Sequence, residues 1–317
     1  MTDATQNTTL DQALDAAPLA NPMPADALGD AAKSQALKTV LRYKNNKSDD
    51  KLRKAMPLMK RAVRLINEEK YREAAQLGLQ AVNIDENLAL ACHITAIALD
   101  KLGVASLALG MYERALQLSP EEPEIYQNLG LLAWRMDLYD VAEKFFRIFC
   151  RMMPNHVEGP NNLACVLRDK GEFESAIEVL RAAIYENQES SLLWNSLGTV
   201  MMEQTEFDNA VLFYEQALQL EPNLARAYHN IGYCRATEGR HDVALDYLQK
   251  ALDLGVMPAN ERAETEHAIA ISLIGSGQLD KAWDAYECRN NPRYGGATSY
   301  SIPLKQWDGE PLEGKKI

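Results

Sequence analysis

Hydrophobic and polar positions recur every 34 residues along most of the chain. The period can be counted from seven starting positions, the last of which follows a four-residue insertion. These starts are Ala55, Ala89, Pro123, Val157, Ser191, Ala225 and Ala263. A period of about 20 to 50 residues is typical of repeat proteins, whose units stack on their neighbours to bury a shared core. The pattern therefore predicts about seven copies of one structural unit.

Two places in each unit always hold a small residue. The twentieth place is Ala74, Ala108, Ala142, Ala176, Ala210, Ala244 and Ala282. The eighth place is Ala62, Ala96, Gly130, Ala164, Gly198, Gly232 and Ala270. Large aromatic residues recur at the fourth, seventeenth and twenty-fourth places. Because two helices can cross closely only where side chains are small, this spacing predicts a helical hairpin in each unit.

Glycine and proline mark the ends of the predicted helices. Four units have glycine at the fifteenth place, where a left-handed residue ends a helix: Gly103, Gly171, Gly239 and Gly277. Three units have proline at the thirty-second place, which stops the second helix: Pro120, Pro154 and Pro222. Both signals favour a turn between the two helices and a break between units.

The strings YQNLGLLAW, WNSLGTVM and AYHNIGYC resemble the tetratricopeptide repeat, and the resemblance covers residues 55 to about 289. It implies an all-α fold, a right-handed superhelical solenoid of about seven helix-turn-helix repeats, with the first helices lining the concave side. The resulting division of the chain has four parts. We expect an acidic tail over residues 1–32, a basic helical segment over 33–54, the repeat array over 55–296 and a linker over 297–317.

Charge is distributed unevenly over the first 64 residues. Residues 1–32 contain five Asp and no Lys or Arg, and we expect this tail to be disordered because it has little apolar surface to bury. Residues 33–64 contain eleven Lys and Arg against Asp49 and Asp50. Such a run is consistent with a solvated helix face or with a docking site for an acidic partner.

Composition and charge exclude several functional classes. The 317 residues include 45 Asp and Glu against 33 Lys and Arg, a formal charge of −12 that argues against a nucleic-acid partner. We find no apolar run long enough to cross a membrane and no secretory signal, so a cytoplasmic protein without a membrane partner is expected. The five cysteines and five histidines are scattered, and no catalytic motif is present. The sequence predicts no metal, no cofactor and no catalytic residue in this chain.

Asparagine recurs at the sixth place of the central repeats. That place reads Lys60, Ile94, Asn128, Asn162, Ser196, Asn230 and Ala268. This column resembles the asparagine ladder of the O-linked N-acetylglucosamine transferases, which implies that Asn128, Asn162 and Asn230 bind the backbone of an extended peptide, with Ser196 as an interruption. In the alternative interpretation, these amides hydrogen-bond only to the neighbouring repeat.

Further polar and aromatic residues fall at inner-surface places of the same repeats. The candidates for peptide binding are Gln127, Trp134, Asn161, Asn195, Arg226 and Tyr233. Trp134 and Tyr233 are the expected apolar anchors. We expect all of these side chains to face water when the groove is empty.

The segment after the repeats has a motif of its own. Trp307, Gly309, Leu312, Gly314 and Lys315 form W-x-G-x-x-L-x-G-K, which is similar to the junction between a tetratricopeptide array and a glycosyltransferase domain in bacterial proteins. The resemblance implies that this chain recruits an acceptor protein, with flagellin as the first candidate, for O-glycosylation of Ser or Thr by a domain beyond residue 317 that uses a nucleotide-activated sugar. The alternative is a free-standing adaptor or chaperone whose tail ends naturally.

Overall fold

The computed structural model describes Val40, residues 50–291 and residues 294–295. All regular structure in this part of the chain is helical, and it forms seven consecutive hairpins. The first helices are α1 (Asp50–Asn67), α3 (Ala89–Lys101), α5 (Pro123–Arg135), α7 (Glu158–Asp169), α9 (Ser191–Glu203), α11 (Ala225–Thr237) and α13 (Ala259–Gly275). The second helices are α2 (Tyr71–Ile84), α4 (Ala105–Leu118), α6 (Tyr139–Met152), α8 (Phe173–Glu186), α10 (Phe207–Leu220), α12 (His241–Asp253) and α14 (Leu279–Tyr286). A short 3₁₀ helix, Glu287–Asn290, follows α14.

The hairpins stack in chain order, which confirms the predicted all-α, right-handed superhelical solenoid. Each first helix packs against its own second helix, and from α3 onwards also against the second helix of the hairpin before it. All seven alanines of the twentieth place are fully buried. At the eighth place a Cβ atom on Gly198 would lie 2.7 Å from the ring of Tyr214, at the twenty-fourth place of the same repeat. The small columns therefore let the two helices of each hairpin approach closely.

The turn inside every hairpin contains a residue with positive φ at the fifteenth place. Glycine occupies it in four repeats, with φ between 77° and 85°. The other three repeats have Glu69, Asp137 and Thr205 there, with φ values of 59°, 57° and 63°. The fold thus imposes the left-handed conformation on all seven turns, including three where the side chain opposes it.

Exchanging residues between two of these turns should change stability in opposite directions. We expect Thr205→Gly to raise the free energy of unfolding by about 0.5–1 kcal/mol, since a β-branched residue is strained at positive φ. Gly171→Thr should lower it by about 1 kcal/mol. A Cβ atom on Gly171 would meet nothing within 4 Å, so that variant tests backbone conformation alone. Urea unfolding is the measurement, and a loss of stability in Thr205→Gly would contradict the explanation.

The first helix of the array crosses the expected boundary between the basic segment and the repeats. Helix α1 begins at Asp50, so the boundary between residues 54 and 55 falls inside a continuous helix. Val40, from the basic segment, is helical and fully buried with the core of the first repeats. The acidic tail, the rest of residues 33–49 and the linker over 297–317 lie outside the described residues. Among the described helices, none is long and apolar enough to cross a membrane.

The four-residue insertion before the last repeat lengthens its first helix. Helix α13 has 17 residues, whereas α11 has 13. The extra turn begins at Ala259 and contains Glu261. The extra turn therefore places an acidic side chain on the inner surface, and the 34-residue pattern does not predict this side chain.

Candidate functional site

Polar side chains on successive first helices bond to one another across the inner surface. The Nδ2 atom of Asn128 lies 2.9 Å from Nε2 of His93, and the Ser196 hydroxyl donates to Oδ1 of Asn161 at 2.5 Å. Both pairs join the fifth place of one repeat to the sixth place of the next, 35 residues further along. The inner surface is therefore held together by hydrogen bonds between repeats as well as by apolar contacts.

Charged and aromatic residues near the ends of the helices follow the same spacing. Arg135 pairs with Asp100 of the preceding repeat, and Trp134 Nε1 donates to Asp169 at 2.8 Å. Arg226 donates to Glu261 at 2.6 Å from the guanidinium Nη2. Each pair spans 35 residues and joins two neighbouring first helices.

A cavity of about 450 Å³ opens on this surface between the third and the last repeats. Its size is within the usual range for ligand pockets, about 300–1,000 Å³. It is lined by Trp134, Arg135, Asp137, Tyr139, Asn161, Asn162, Cys165, Arg168, Asp169, Leu192, Asn195, Ser196, Thr199, Arg226, Asn230 and Glu261. Seven of the ten residues predicted from the sequence are in this wall: Trp134, Asn161, Asn162, Asn195, Ser196, Arg226 and Asn230.

Three predicted residues lie elsewhere. Gln127 is buried, and its Nε2 atom donates to Glu158 at 3.0 Å. Asn128 contacts His93, which favours the alternative interpretation that its amide bonds to the neighbouring repeat. Tyr233 is 48% exposed and does not line the cavity.

The expectation that the inner side chains face water is wrong for three of them. Gln127, Asn162 and Asn195 are only 7%, 7% and 5% exposed. Successive first helices pack closely enough for the fifth and sixth places to contact each other, and this contact removes water from the amides. The hydrogen bonds of Gln127 and Asn162 therefore matter for stability as well as for binding.

Asn195 is exceptional among the buried amides. Its Oδ1 atom is buried and has no hydrogen-bond partner within the described part of the protein. Such an acceptor is costly in a folded protein unless a water molecule or a ligand supplies the missing donor.

Two histidines of the inner surface are held neutral. His93 is 2% exposed, and burial lowers its pKa to about 4. Burial, together with the nearby charge of Arg226, likewise lowers the pKa of His229 to about 4, and Nδ1 of this ring lies 2.9 Å from the Thr265 hydroxyl. Within the described residues, no three or more His, Cys, Asp and Glu side chains are grouped so that they could bind a metal ion.

Comparison with known proteins agrees with this architecture. Tetratricopeptide repeat models match residues 161–190 and 188–255. Residues 161–255 are tetratricopeptide repeats. PilF of Pseudomonas aeruginosa has a similar fold, with a TM-score of 0.54 and 16% identity over 65% of this chain and 94% of PilF. Yeast Tom70 matches with a TM-score of 0.52 and 19% identity over 77% of this chain and 47% of Tom70.

A curated bacterial protein is similar over nearly the whole chain. Protein FlbA of Caulobacter vibrioides is 36% identical over 294 residues, which are 92% of this chain and 48% of FlbA. The chain thus spans about half the length of this relative. Similarity to FlbA extends beyond the tetratricopeptide repeat domain recognised by the repeat models.

Several cavity residues of the tetratricopeptide repeat domain were not predicted. Asp169 and Glu261 bond to Trp134 and Arg226, and Thr199 lies one turn after Asn195. A separation of 35 residues could have identified the two acids, because Asp169 and Glu261 each lie 35 residues after the donor that they contact on the preceding first helix. A comparison of equivalent places from repeat to repeat does not reveal which acid and donor meet between two repeats.

Proposed function

We propose that this chain is the acceptor-binding part of a bacterial protein glycosyltransferase. In this proposal the repeat domain binds an acceptor protein, with flagellin as the first candidate. A glycosyltransferase domain beyond residue 317 then transfers a sugar from a nucleotide-activated donor to Ser or Thr, and the protein acts in the cytoplasm.

The observation that supports the binding part of the proposal is the inner-surface cavity. Tetratricopeptide repeat domains bind protein partners, and this cavity offers neutral amides and hydroxyls together with the Trp134 and Tyr139 rings at one end. Amides carry both a donor and an acceptor, so they suit the alternating N–H and C=O groups of an extended peptide.

The transferase part of the proposal rests on the segment after the repeats. The motif from Trp307 to Lys315 resembles the junction that precedes a glycosyltransferase domain. FlbA, which is similar to this chain over 294 residues, is about twice as long as this chain. The nucleotide-activated sugar would belong to the second domain.

The test is the mass of intact flagellin purified from cells that carry or lack the full-length gene. The proposal expects flagellin from the deletion strain to be lighter by one or more sugar residues, and expects plasmid-borne full-length protein to restore the mass. Identical flagellin masses in both strains would contradict flagellin glycosylation and would favour the free-standing adaptor.

A further inference from the structure

Among the described repeats, the pairing of fifth and sixth places is absent at one step whose two residues, Asn195 and Asn230, both line the cavity. His93 contacts Asn128, and Asn161 accepts from Ser196, each across 35 residues. By the same spacing Asn195 should bond to Asn230 of the next repeat. Instead, Oδ1 of Asn195 has no partner, and Asn230 makes no hydrogen bond to any side chain that the structure describes.

The side-chain amides of Asn195 and Asn230 are therefore available to bind a ligand, whereas the equivalent groups in neighbouring repeats already have hydrogen-bond partners. Asn128 and Ser196 hydrogen-bond to a neighbouring repeat, whereas Asn195 and Asn230 both line the cavity without such a bond in the described part of the chain. A half-turn of the terminal amide exchanges the positions of its oxygen and nitrogen, so Asn195 can present either group. A peptide group offers one donor and one acceptor, which matches two side-chain amides.

Charges in the cavity wall largely compensate one another. The six charged lining residues are three arginines and three acids: Arg135, Arg168, Arg226, Asp137, Asp169 and Glu261. Arg135 pairs with Asp100, Arg168 with Asp169, and Arg226 with Glu261. Asp137 accepts a hydrogen bond from the Tyr139 hydroxyl. A charged ligand group would compete with these pairs and lose its own hydration, which disfavours it relative to a neutral group.

We infer that Asn195 and Asn230 bind the backbone amide of an uncharged, extended peptide segment, and that this pair is the main polar anchor of the cavity. The inference rests on the proposed function for the statement that the segment belongs to an acceptor protein. It narrows the predicted asparagine ladder to one step, since Asn128 contacts His93 and Asn162 accepts a hydrogen bond from Asn161. It also names the segment's chemistry: neutral residues such as Ser, Thr, Asn and Gly.

The stability of variants in urea distinguishes a binding role of Asn195 from a structural role. Because its Oδ1 atom is unpartnered in the empty protein, Asn195→Leu should leave the urea midpoint unchanged or raise it. Asn128→Ala should lower the midpoint, since it leaves the buried ring of His93 without its partner. A lower midpoint for Asn195→Leu would mean that Asn195 has a structural role and would overturn the inference.

Binding to an array of synthetic peptides tests the anchor directly. The probes are random peptides of about 12 residues in three sets, with net charges of about −3, 0 and +3. The full chain should bind the neutral set at least about tenfold more strongly than either charged set, and Asn195→Ala with Asn230→Ala should reduce that binding at least about tenfold. Asn128→Ala, the matched control, should bind within about twofold of the wild type.

Two results would overturn the inference: preferred binding of a charged set, or unchanged binding by the double variant. The outcome is independent of the flagellin test. Neutral peptides that bind through Asn195 and Asn230 would support the inference even if flagellin carried no sugar. If the peptides do not bind through these two residues, the inference is wrong even if flagellin is glycosylated.

Discussion

Lowering the pH from 7.5 to 5 is expected to reduce the free energy of unfolding by about 2 kcal/mol through His93 alone. The folded protein holds this imidazole neutral, with a pKa of about 4, whereas the unfolded chain has the ordinary value near 6.5. A depressed histidine pKa means that the unfolded state binds protons more readily. The contribution of His93 is therefore fully present above about pH 6.5 and is lost progressively as the pH falls towards 4.

Urea unfolding of the wild type and of His93→Gln at the two pH values isolates this contribution. Glutamine retains hydrogen-bonding capacity towards Asn128 but does not titrate. The variant should lose about 2 kcal/mol less stability than the wild type between pH 7.5 and 5. Equal losses in both proteins would show that burial does not hold the His93 ring neutral.

Ala176→Leu is expected to lower the free energy of unfolding by about 1–3 kcal/mol. Ala176 is fully buried at the twentieth place, where the two helices of the fourth hairpin approach each other. Three extra carbon atoms there must displace a helix or force side chains from their preferred rotamers. Because each repeat is stabilised mainly by its neighbours, the disturbance should spread to adjacent repeats.

Ala182→Leu provides the matched control, because Ala182 is on the same helix but is exposed. Alanine and leucine both favour helices, so the control should change stability by less than about 0.5 kcal/mol. Urea denaturation of both variants measures the difference. Equal midpoints for the two variants would contradict the assigned repeat positions.

The sequence predicts the hairpins well because their geometry restricts single positions. Only a small residue fits where Ala176 contacts the neighbouring helix, and a left-handed turn favours glycine at positions such as Gly171. These requirements act on one residue at a time, so they recur visibly every 34 residues. Thr205 shows that the turn geometry persists even where the sequence signal is missing.

The site was harder to predict because its geometry depends on pairs of residues in different repeats. Asn128 and Asn230 occupy the same place in their repeats, yet Asn128 contacts His93 whereas Asn230 lines the cavity. The difference comes from the residue 35 positions earlier, which is His93 in one case and Asn195 in the other. A pattern based on one column cannot distinguish them. The insertion that places Glu261 beside Arg226 breaks the 34-residue period and is missed for a similar reason.

The central claim is that the inner-surface cavity binds the acceptor protein. The most direct measurement is calorimetric titration of monomeric flagellin into the wild type and two triple variants. One variant replaces Asn162, Asn195 and Asn230 of the cavity with alanine, and the other replaces three exposed amides of the second helices, Asn209, Gln219 and Gln249. We predict that the cavity variant binds about ten- to a thousandfold more weakly and that the control binds as the wild type does. Equal affinities of the two variants would contradict the claim and place the binding surface elsewhere.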